Sequence, residues 1–318
     1  NLDSTAKPSD DFFEYANGGW IKKNPIPAEQ SSWGIGNLVY EENLARTREI
    51  SEDAAGSNAA KGSNEQKIGD FWSSGMDSAR IEADGLKHLQ PYLDKINAIN
   101  DTQSLIATVA DLRKLCSYTL FADFVTQDDK NSEVMTYKLW QGGIGLPERE
   151  YYFKTDSSTI KIRNEYVKYI AQILQMAGDD ATRANKAATD ILAMETKLAQ
   201  ASRKLADLRD PYANYNKMAI AELGEMAGSI DWSSFLAIVG VKNIDSVIVG
   251  QPGFFMALDA NLKSTPIEVW KKYVRFNLIS DFAGSLPDTF GKAAFNFNKL
   301  FSGVTERRPR WKRVMQSE

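Results

Sequence analysis

Histidine and cysteine are almost missing from this sequence: His88 and Cys116 are the only ones among 318 residues. A protein zinc site takes three or four His, Cys or carboxylate ligands. One imidazole and one thiol, with no ligand spacing around either and no HExxH anywhere, do not supply such a set. A Ser-His-Asp triad would have to use His88, and no strand–turn–serine elbow accompanies it. Phosphate-binding GxxxxGK[ST] and dinucleotide-binding GxGxxG segments are also absent. The lone cysteine excludes an intrachain disulfide framework. His88 reads as a partly exposed helical residue, and Cys116, beside the apolar-patterned stretch Leu112 to Leu115, as a buried small hydrophobe. No run approaches the 18 apolar residues of a membrane-spanning helix, so no transmembrane segment is expected in this chain. A positive surplus is lacking too: 38 Lys+Arg stand against 42 Asp+Glu, a formal charge of −4. No nucleic-acid partner is expected from that balance. The one basic run, Arg307 to Arg313, carries Trp311 and Pro309 and reads as a helix start or an interface.

What remains is ordinary globular material, 43% hydrophobic and 25% charged, long enough for two cores or one elongated one. Because it opens on Asn1 rather than Met, a removed leading segment is expected, by processing or truncation. Asp10 to Ala16 can begin a short helix with its acids at the positive end, which Asn17-Gly18-Gly19 then stops. Asn24-Pro25-Ile26-Pro27 must be extended. A helix from about Ser31 to Asp53 precedes a polar break over Gly56–Asn64. Between 65 and 115 lie three apolar stripes at helical spacing: Ile68, Phe71, Trp72 and Met76; Leu86, Leu89, Leu93 and Ile96; Leu105, Val109, Leu112 and Leu115. Tyr118–Thr126 and Glu133–Trp140 read as two strands of a short antiparallel sheet, joined through Gln127–Asn131. Amphipathic helices are predicted over 159–178 and 180–201, and further helices near 218–226, 233–239 and 266–282, the last with Pro266 in its first turn. The fold class is mainly α, with a minor antiparallel β element.

Three clusters exceed composition. The first is Asp11-Phe12-Phe13-Glu14-Tyr15-Ala16-Asn17-Gly18-Gly19-Trp20, followed by Pro25-Ile26-Pro27. The second is Gly143-Ile144-Gly145-Leu146-Pro147-Glu148-Arg149-Glu150-Tyr151-Tyr152. The third is Glu195 to Ala201, then Arg209-Asp210-Pro211 and Tyr215-Asn216-Lys217-Met218. Physically, Asn17-Gly18-Gly19 permits positive φ and a tight turn, letting Phe12, Phe13, Tyr15 and Trp20 bury aromatic area against a neighbour. Gly145 permits a close turn, Pro147 fixes the next step, Arg149 can pair with its flanking glutamates, and Tyr151 and Tyr152 anchor the segment after them. That loop is either structural or lines a peptide cleft, with Arg149, Tyr151 and Tyr152 as the cleft-lining candidates. Arg209-Asp210 and Tyr215-Asn216 read as a salt-bridged loop at a helix end.

In this order and spacing, with Phe295-Asn296-Phe297, Leu300-Phe301-Ser302-Gly303 and Arg308-Pro309-Arg310-Trp311-Lys312-Arg313 near the end, the clusters closely resemble the N-terminal region of the neprilysin-type (M13) zinc metallopeptidases. The resemblance covers essentially the whole chain. It implies a family architecture of two mostly helical lobes around a large cavity. Residues 1–50 would be an arm on the catalytic lobe, 51–262 a helical cap lobe, and 263–318 the first catalytic-lobe helices. The family's HExxH, its further zinc ligand and its substrate-positioning residues would all lie beyond residue 318. Zinc would therefore be a cofactor of the full-length enzyme, with none bound by this chain. The partners implied are the catalytic C-terminal half of the same protein and small peptide substrates. Some members carry a carboxylate-binding arginine in the arm. Here Ser32 stands there, before Trp33-Gly34, which favours an oligopeptidase-like endopeptidase over a dipeptide-releasing enzyme. The near absence of cysteine fits a bacterial periplasmic or lipid-anchored location. The alternative is a stand-alone peptide-binding or interaction module with the same fold and no hydrolysis.

Overall fold

The computed structural model of the protein describes residues 1–316. Its elements run α1 (Phe12–Lys23), α2 (Ile35–Gly56), α3 (Asn64–Met76), α4 (Ser78–Asp84), α5 (Gln90–Asn97) and α6 (Thr102–Leu112), then β1 (Phe121–Asp128) and β2 (Asn131–Gln141). Next come α7 (Ser157–Met176), α8 (Ala181–Ala201), β3 (Asn216–Ala219), α9 (Ile220–Met226), α10 (Trp232–Val239) and β4 (Ser246–Val249). The chain ends with α11 (Pro252–Ser264), α12 (Ile267–Phe282), α13 (Asp288–Ser302) and α14 (Arg310–Met315). The fold is mainly helical with one small sheet, as the stripes predict. Contacts divide it into two compact units, residues 1–83 with 298–318, and residues 84–297.

In the smaller unit the Asn17-Gly18-Gly19 expectation fails. α1 does not stop there but runs through to Lys23, capped by the Asp11 carboxylate, which accepts from the Glu14 amide at 2.9 Å. The glycines serve close approach instead of a turn. A Cβ on Gly19 would fall 2.8 Å from the Asn1 carbonyl oxygen, and one on Gly18 would fall 2.9 Å from the Asp3 Cβ. The first residues therefore lie along the helix, where the Asp3 amide donates to the Tyr15 carbonyl at 2.8 Å. Phe12 and Phe13 stay exposed, at 69% and 66%. Trp311 packs on a small core of Leu44, Trp72, Val314 and Met315, with the Arg48 guanidinium 5.0 Å from its ring centroid.

The larger unit is built on α7, α8 and α12. Aspartates cap α7 and α8: Asp156 accepts from the Thr159 amide and Asp180 from the Arg183 amide, each at 2.9 Å. Ala184, Ala187, Ala188 and Ile191 lie on the buried side of α8. Trp270, Tyr273 and Phe276 of α12 are buried in this unit, with Phe276 edge-on to Tyr169 at 5.6 Å between centroids. The β1–β2 hairpin is the antiparallel element expected from sequence. It extends into a mixed sheet of order β1-β2-β4-β3, with β2–β4 parallel and β4–β3 antiparallel. Residues 216–219, whose second half the sequence pattern assigns to the start of a helix, form β3, and the helix begins after them at Ile220.

Cys116 departs from its reading as a buried hydrophobe: it is exposed and left-handed, with φ 58°. The cause lies in its neighbour Arg113. The side chain of Arg113 is buried and ion-paired to Asp123 at 2.6 Å, and its guanidinium donates to the Ser117, Thr119 and Phe121 carbonyls. Wrapping three carbonyls around one cation forces the intervening chain into a tight coil that turns Cys116 outward.

Glycine contacts give opposite expectations for two substitutions. A Cβ on Gly69 would sit 2.6 Å from the Ala54 carbonyl oxygen where α3 meets α2, whereas one on Gly224 in α9 would meet nothing within 4 Å. Gly69→Ala is expected to destabilise by about 1–3 kcal/mol, and Gly224→Ala to stabilise by about 0.5–1 kcal/mol. Thermal melts of both variants check this, and equal effects would refute the close-approach reading.

Candidate functional site

The second sequence cluster follows β2 as a loop, and its geometry is set by a carboxyl group on α8. Glu195 is fully buried. One of its oxygens accepts from the Tyr152 hydroxyl at 2.7 Å and from the Gly145 amide at 3.3 Å. The other accepts from the Tyr166 hydroxyl of α7 at 2.9 Å. Tyr152 also accepts from the Leu146 amide at 3.1 Å, so the loop is tied at both ends to one point. Gly145 does not supply a left-handed turn; that role falls to Gly143, at φ 71°. A Cβ on Gly145 would instead overlap the Tyr166 hydroxyl, so this glycine makes room for the tyrosine. Burial outweighs the three donors and pushes the Glu195 carboxyl up to about 7. Burial, then the nearby Glu195, also hold the Tyr152 and Tyr166 phenols well above their ordinary range.

Outside this anchor the loop forms one wall of a pocket of about 230 Å³, opposite the segment that follows α8. Ile144, Leu146 and Leu208 are among its apolar lining residues, and Glu148, Arg149 and Arg203 are its charged ones. Arg203 is fixed in place: its guanidinium donates to the Asn214 side-chain oxygen and the Asp207 carbonyl, each at 2.8 Å. Its backbone exchanges hydrogen bonds with the Gln141 amide group, at 2.8 and 3.1 Å. Gln141 and Asn214 are in turn bridged by Gln251.

Of the three cleft-lining candidates, only Arg149 lines this pocket. Tyr152 lies inside the fold at 6% exposure and anchors the loop. Tyr151 is half-buried, and its carbonyl accepts from Arg163 at 2.8 Å. Leu146 is buried beneath the loop and Pro147 is exposed at its tip. Asp210 accepts from the Tyr212 and Ala213 amides as a turn residue, and no ion pair with Arg209 forms among the described residues. Tyr215 donates to Asp128 at 3.2 Å, and Asn216 to the Val249 carbonyl at 3.0 Å, so both brace the sheet. Glu195 opens the third sequence cluster, but its role as the anchor of the second is not read from the motifs. A signal for it exists: an acid four residues after Ile191 and three before Leu198, on the apolar side of a helix.

No group of three or more His, Cys, Asp or Glu side chains is placed to hold a metal ion among the described residues, so these residues do not fit a zinc centre. His88 is exposed and bonded to Asp84 at 3.0 Å. The family model for the N-terminal part of peptidase family M13 matches residues 8–317. The chain belongs to peptidase family M13. Endothelin-converting enzyme 1 of Rattus norvegicus is 30% identical over 98% of this M13 chain and 42% of its own length. Neprilysin-3 of Drosophila melanogaster is 28% identical over 96% and 40%. Among solved structures, the zinc metalloprotease Zmp1 of Mycobacterium tuberculosis, in complex with an inhibitor, superposes with a TM-score of 0.92 at 28% identity, covering 99% of this chain and 48% of that one. The chain thus spans less than half the length of these relatives.

A raised carboxyl favours the folded state most when it is protonated. The folded form holds its Glu195 proton to about pH 7, whereas an unfolded glutamate loses it near 4.3. The stability this group contributes is therefore present below that value and is lost as pH rises through about 7. Glu195→Gln, which cannot ionise, is expected to flatten the decline in melting temperature between about pH 5 and 8. Melting curves across that range check it, and an unchanged slope in the variant would rule out Glu195 as the titrating group.

Proposed function

We propose that this chain is the N-terminal, non-zinc-binding portion of a zinc metalloendopeptidase that hydrolyses small peptides in an enclosed cavity. The observation that carries the reading is the family match from residue 8 to 317 in a chain spanning under half of its relatives. In this reading residues 1–50 form an arm on the catalytic lobe, 51–262 the cap lobe and 263–318 the first catalytic-lobe helices, boundaries that differ from the compact units, where α3 groups with the first residues and α12 with α7 and α8. The zinc ligands and the water-activating base belong to the remainder of the protein, and no catalytic step is assigned to a residue of this chain. Ser32, which offers neither charge nor guanidinium fork, favours internal cleavage over carboxy-terminal trimming. The location that goes with this is extracytoplasmic, in a bacterial periplasm or lipid-anchored.

Surface chemistry supports the reading. Twelve of the twenty-two large hydrophobic side chains exposed among the described residues fall within residues 2–71, Phe12, Phe13, Ile26 and Ile35 among them. Apolar surface of that density marks a region built to be covered.

Two measurements test it. The full-length source protein should hold about one zinc per molecule, cleave a short internally quenched peptide, lose that activity to a chelator and regain it with zinc. A zinc-free protein that binds peptides without cleaving them would instead be the stand-alone binding module. The double substitution Phe12→Ser, Phe13→Ser should change the stability of the 318-residue chain by no more than about 0.5 kcal/mol, as for other exposed sites. In the full-length protein it should lower the melting temperature and soluble yield while turnover per bound zinc holds. Equal effects in both contexts would refute a covering catalytic half.

A further inference from the structure

The small sheet of the larger unit ends on two unlike edges. β3 is four residues long, carries Lys217 and runs directly into α9, so it offers little to pair with. β1 is eight residues long, and Phe121–Asp128 holds no proline, lysine or arginine, residue types that protect an edge. Hydrogen bonding fixes which way its backbone points. The Phe121 carbonyl accepts from Arg113 at 2.7 Å, and the Gln141 amide donates to the Gln251 side chain at 2.8 Å. The opposed Phe121 and Gln141 therefore do not bond to each other. Antiparallel pairs alternate, so Ala122, Phe124 and Thr126 bond to β2, and the backbone groups of Asp123, Val125 and Gln127 face away from it. Outside the β1–β2 ladder, no backbone hydrogen bond engages Val125 or Gln127 among the described residues. Apolar side chains flank this edge: Phe124 and Val134 are 41% and 43% exposed, and Val125 and Met135 are each 60% exposed.

We infer that the free edge of β1 is a self-association site, pairing antiparallel with β1 of a second copy of this chain about a two-fold axis at Thr126. In that register Val125 of each copy lies opposite Gln127 of the other, and each such pair exchanges two backbone hydrogen bonds from groups that the fold leaves free. Thr126 meets its own counterpart, a favourable cross-strand pair. Val125 and Gln127 share a sheet face with their β2 partners Tyr137 and Met135, so the apolar groups of both copies collect on that face. Charge favours a second copy over a charged partner. Asp123 is neutralised by Arg113 at 2.6 Å and Asp128 by Lys217 at 2.9 Å, so two such edges meet without repulsion and offer nothing to an opposite charge. A strand already formed also costs less to order than a disordered peptide. Pairing over so short a stretch buries less than the about 1,200 Å² of a standard interface. The dimer is therefore weak, with a dissociation constant on the order of 10–100 μM. It needs neither zinc nor turnover.

Disulfide trapping in the full-length protein provides the test. Residues of a non-hydrogen-bonded pair stand about 4.5 Å apart at Cα, within disulfide reach. With Cys116 changed to serine, Thr126→Cys under mild oxidation by copper phenanthroline is expected to give a disulfide-linked dimer, and the same background without Thr126→Cys none. Val125→Cys and Gln127→Cys meet their own counterparts only across the diagonal, at about 7–8 Å, and should cross-link at least about tenfold less. Sedimentation equilibrium of the unmodified full-length protein should show the mass rising from monomer towards dimer through the micromolar range. Val125→Lys places a charge on the edge at an exposed side chain. It should weaken the dimer about tenfold with the melting temperature unchanged, whereas Val125→Thr should keep it. A monomer at every concentration, equal cross-linking at the three positions, or a dimer indifferent to Val125→Lys would each overturn the inference. A protein that stays monomeric while an added extended peptide slows exchange of the Val125 amide would assign the edge to peptides, and would equally overturn it.

Discussion

A carboxyl group sealed from water must either find donors for its oxygens or stay protonated, and the larger unit meets that demand for Glu195 with groups from three separate segments. The hydroxyl of Tyr166 comes from α7, the hydroxyl of Tyr152 from the end of the loop, and the amide of Gly145 from its start. Satisfying one side chain on α8 thus fixes the path of a ten-residue loop that has no regular structure over most of its length. Everything on the outer side of that loop inherits the constraint. Leu146 is buried beneath it, and Arg149 stands on the short turn closed by Tyr152. Removing any one donor would leave a buried oxygen short of partners, at a cost of about 1–3 kcal/mol or more. The loop is therefore held as a unit.

The helical part of this architecture is legible in the sequence because its signal is redundant. The stripes that predict α7, α8 and α12 repeat over four or more turns, and the aspartates capping α7 and α8 stand where sequence rules place them. The losses come where a few residues have to speak for themselves. β3 and β4 are four residues each, too short for alternation to show, and their pairing depends on partners more than twenty-five residues away. Gly18, Gly19 and Gly145 suggest turn formers because glycine tolerates positive φ. In the structure each is required by an atom from elsewhere, a carbonyl, a Cβ or a hydroxyl that would occupy the place of its Cβ. Nothing local to a glycine distinguishes those two uses.

The site is legible to the same extent. The Gly143–Tyr152 cluster is visible as a unit, and the resemblance to the M13 peptidases marks it as a family feature without saying what it touches. Only the three-dimensional arrangement separates its members by role. Tyr152 turns inward to Glu195 whereas Arg149 lines the pocket, although they lie three positions apart in one short turn. Glu195 can be suspected from its place on an apolar helix face. Arg203, Gln141, Asn214 and Gln251 cannot, because their network joins segments separated by up to 110 residues.

Arg113 and Arg149 show how differently two arginines of the larger unit are satisfied. Arg113 directs its Nε to Asp123 and its remaining groups to three backbone carbonyls, all between 2.6 and 3.1 Å. Asp123 in turn accepts from the Tyr137 hydroxyl, so charge and donors are used up inside the fold. A ligand could gain nothing there without first breaking bonds that already exist. Arg149 is the opposite case: its Nε has no acceptor, its single acid stands at ion-pair range and is shared with Lys204, and an open pocket adjoins it. The desolvation of that guanidinium has been incurred during folding without the compensating hydrogen bonds. The loop that holds Arg149 is fixed by Glu195.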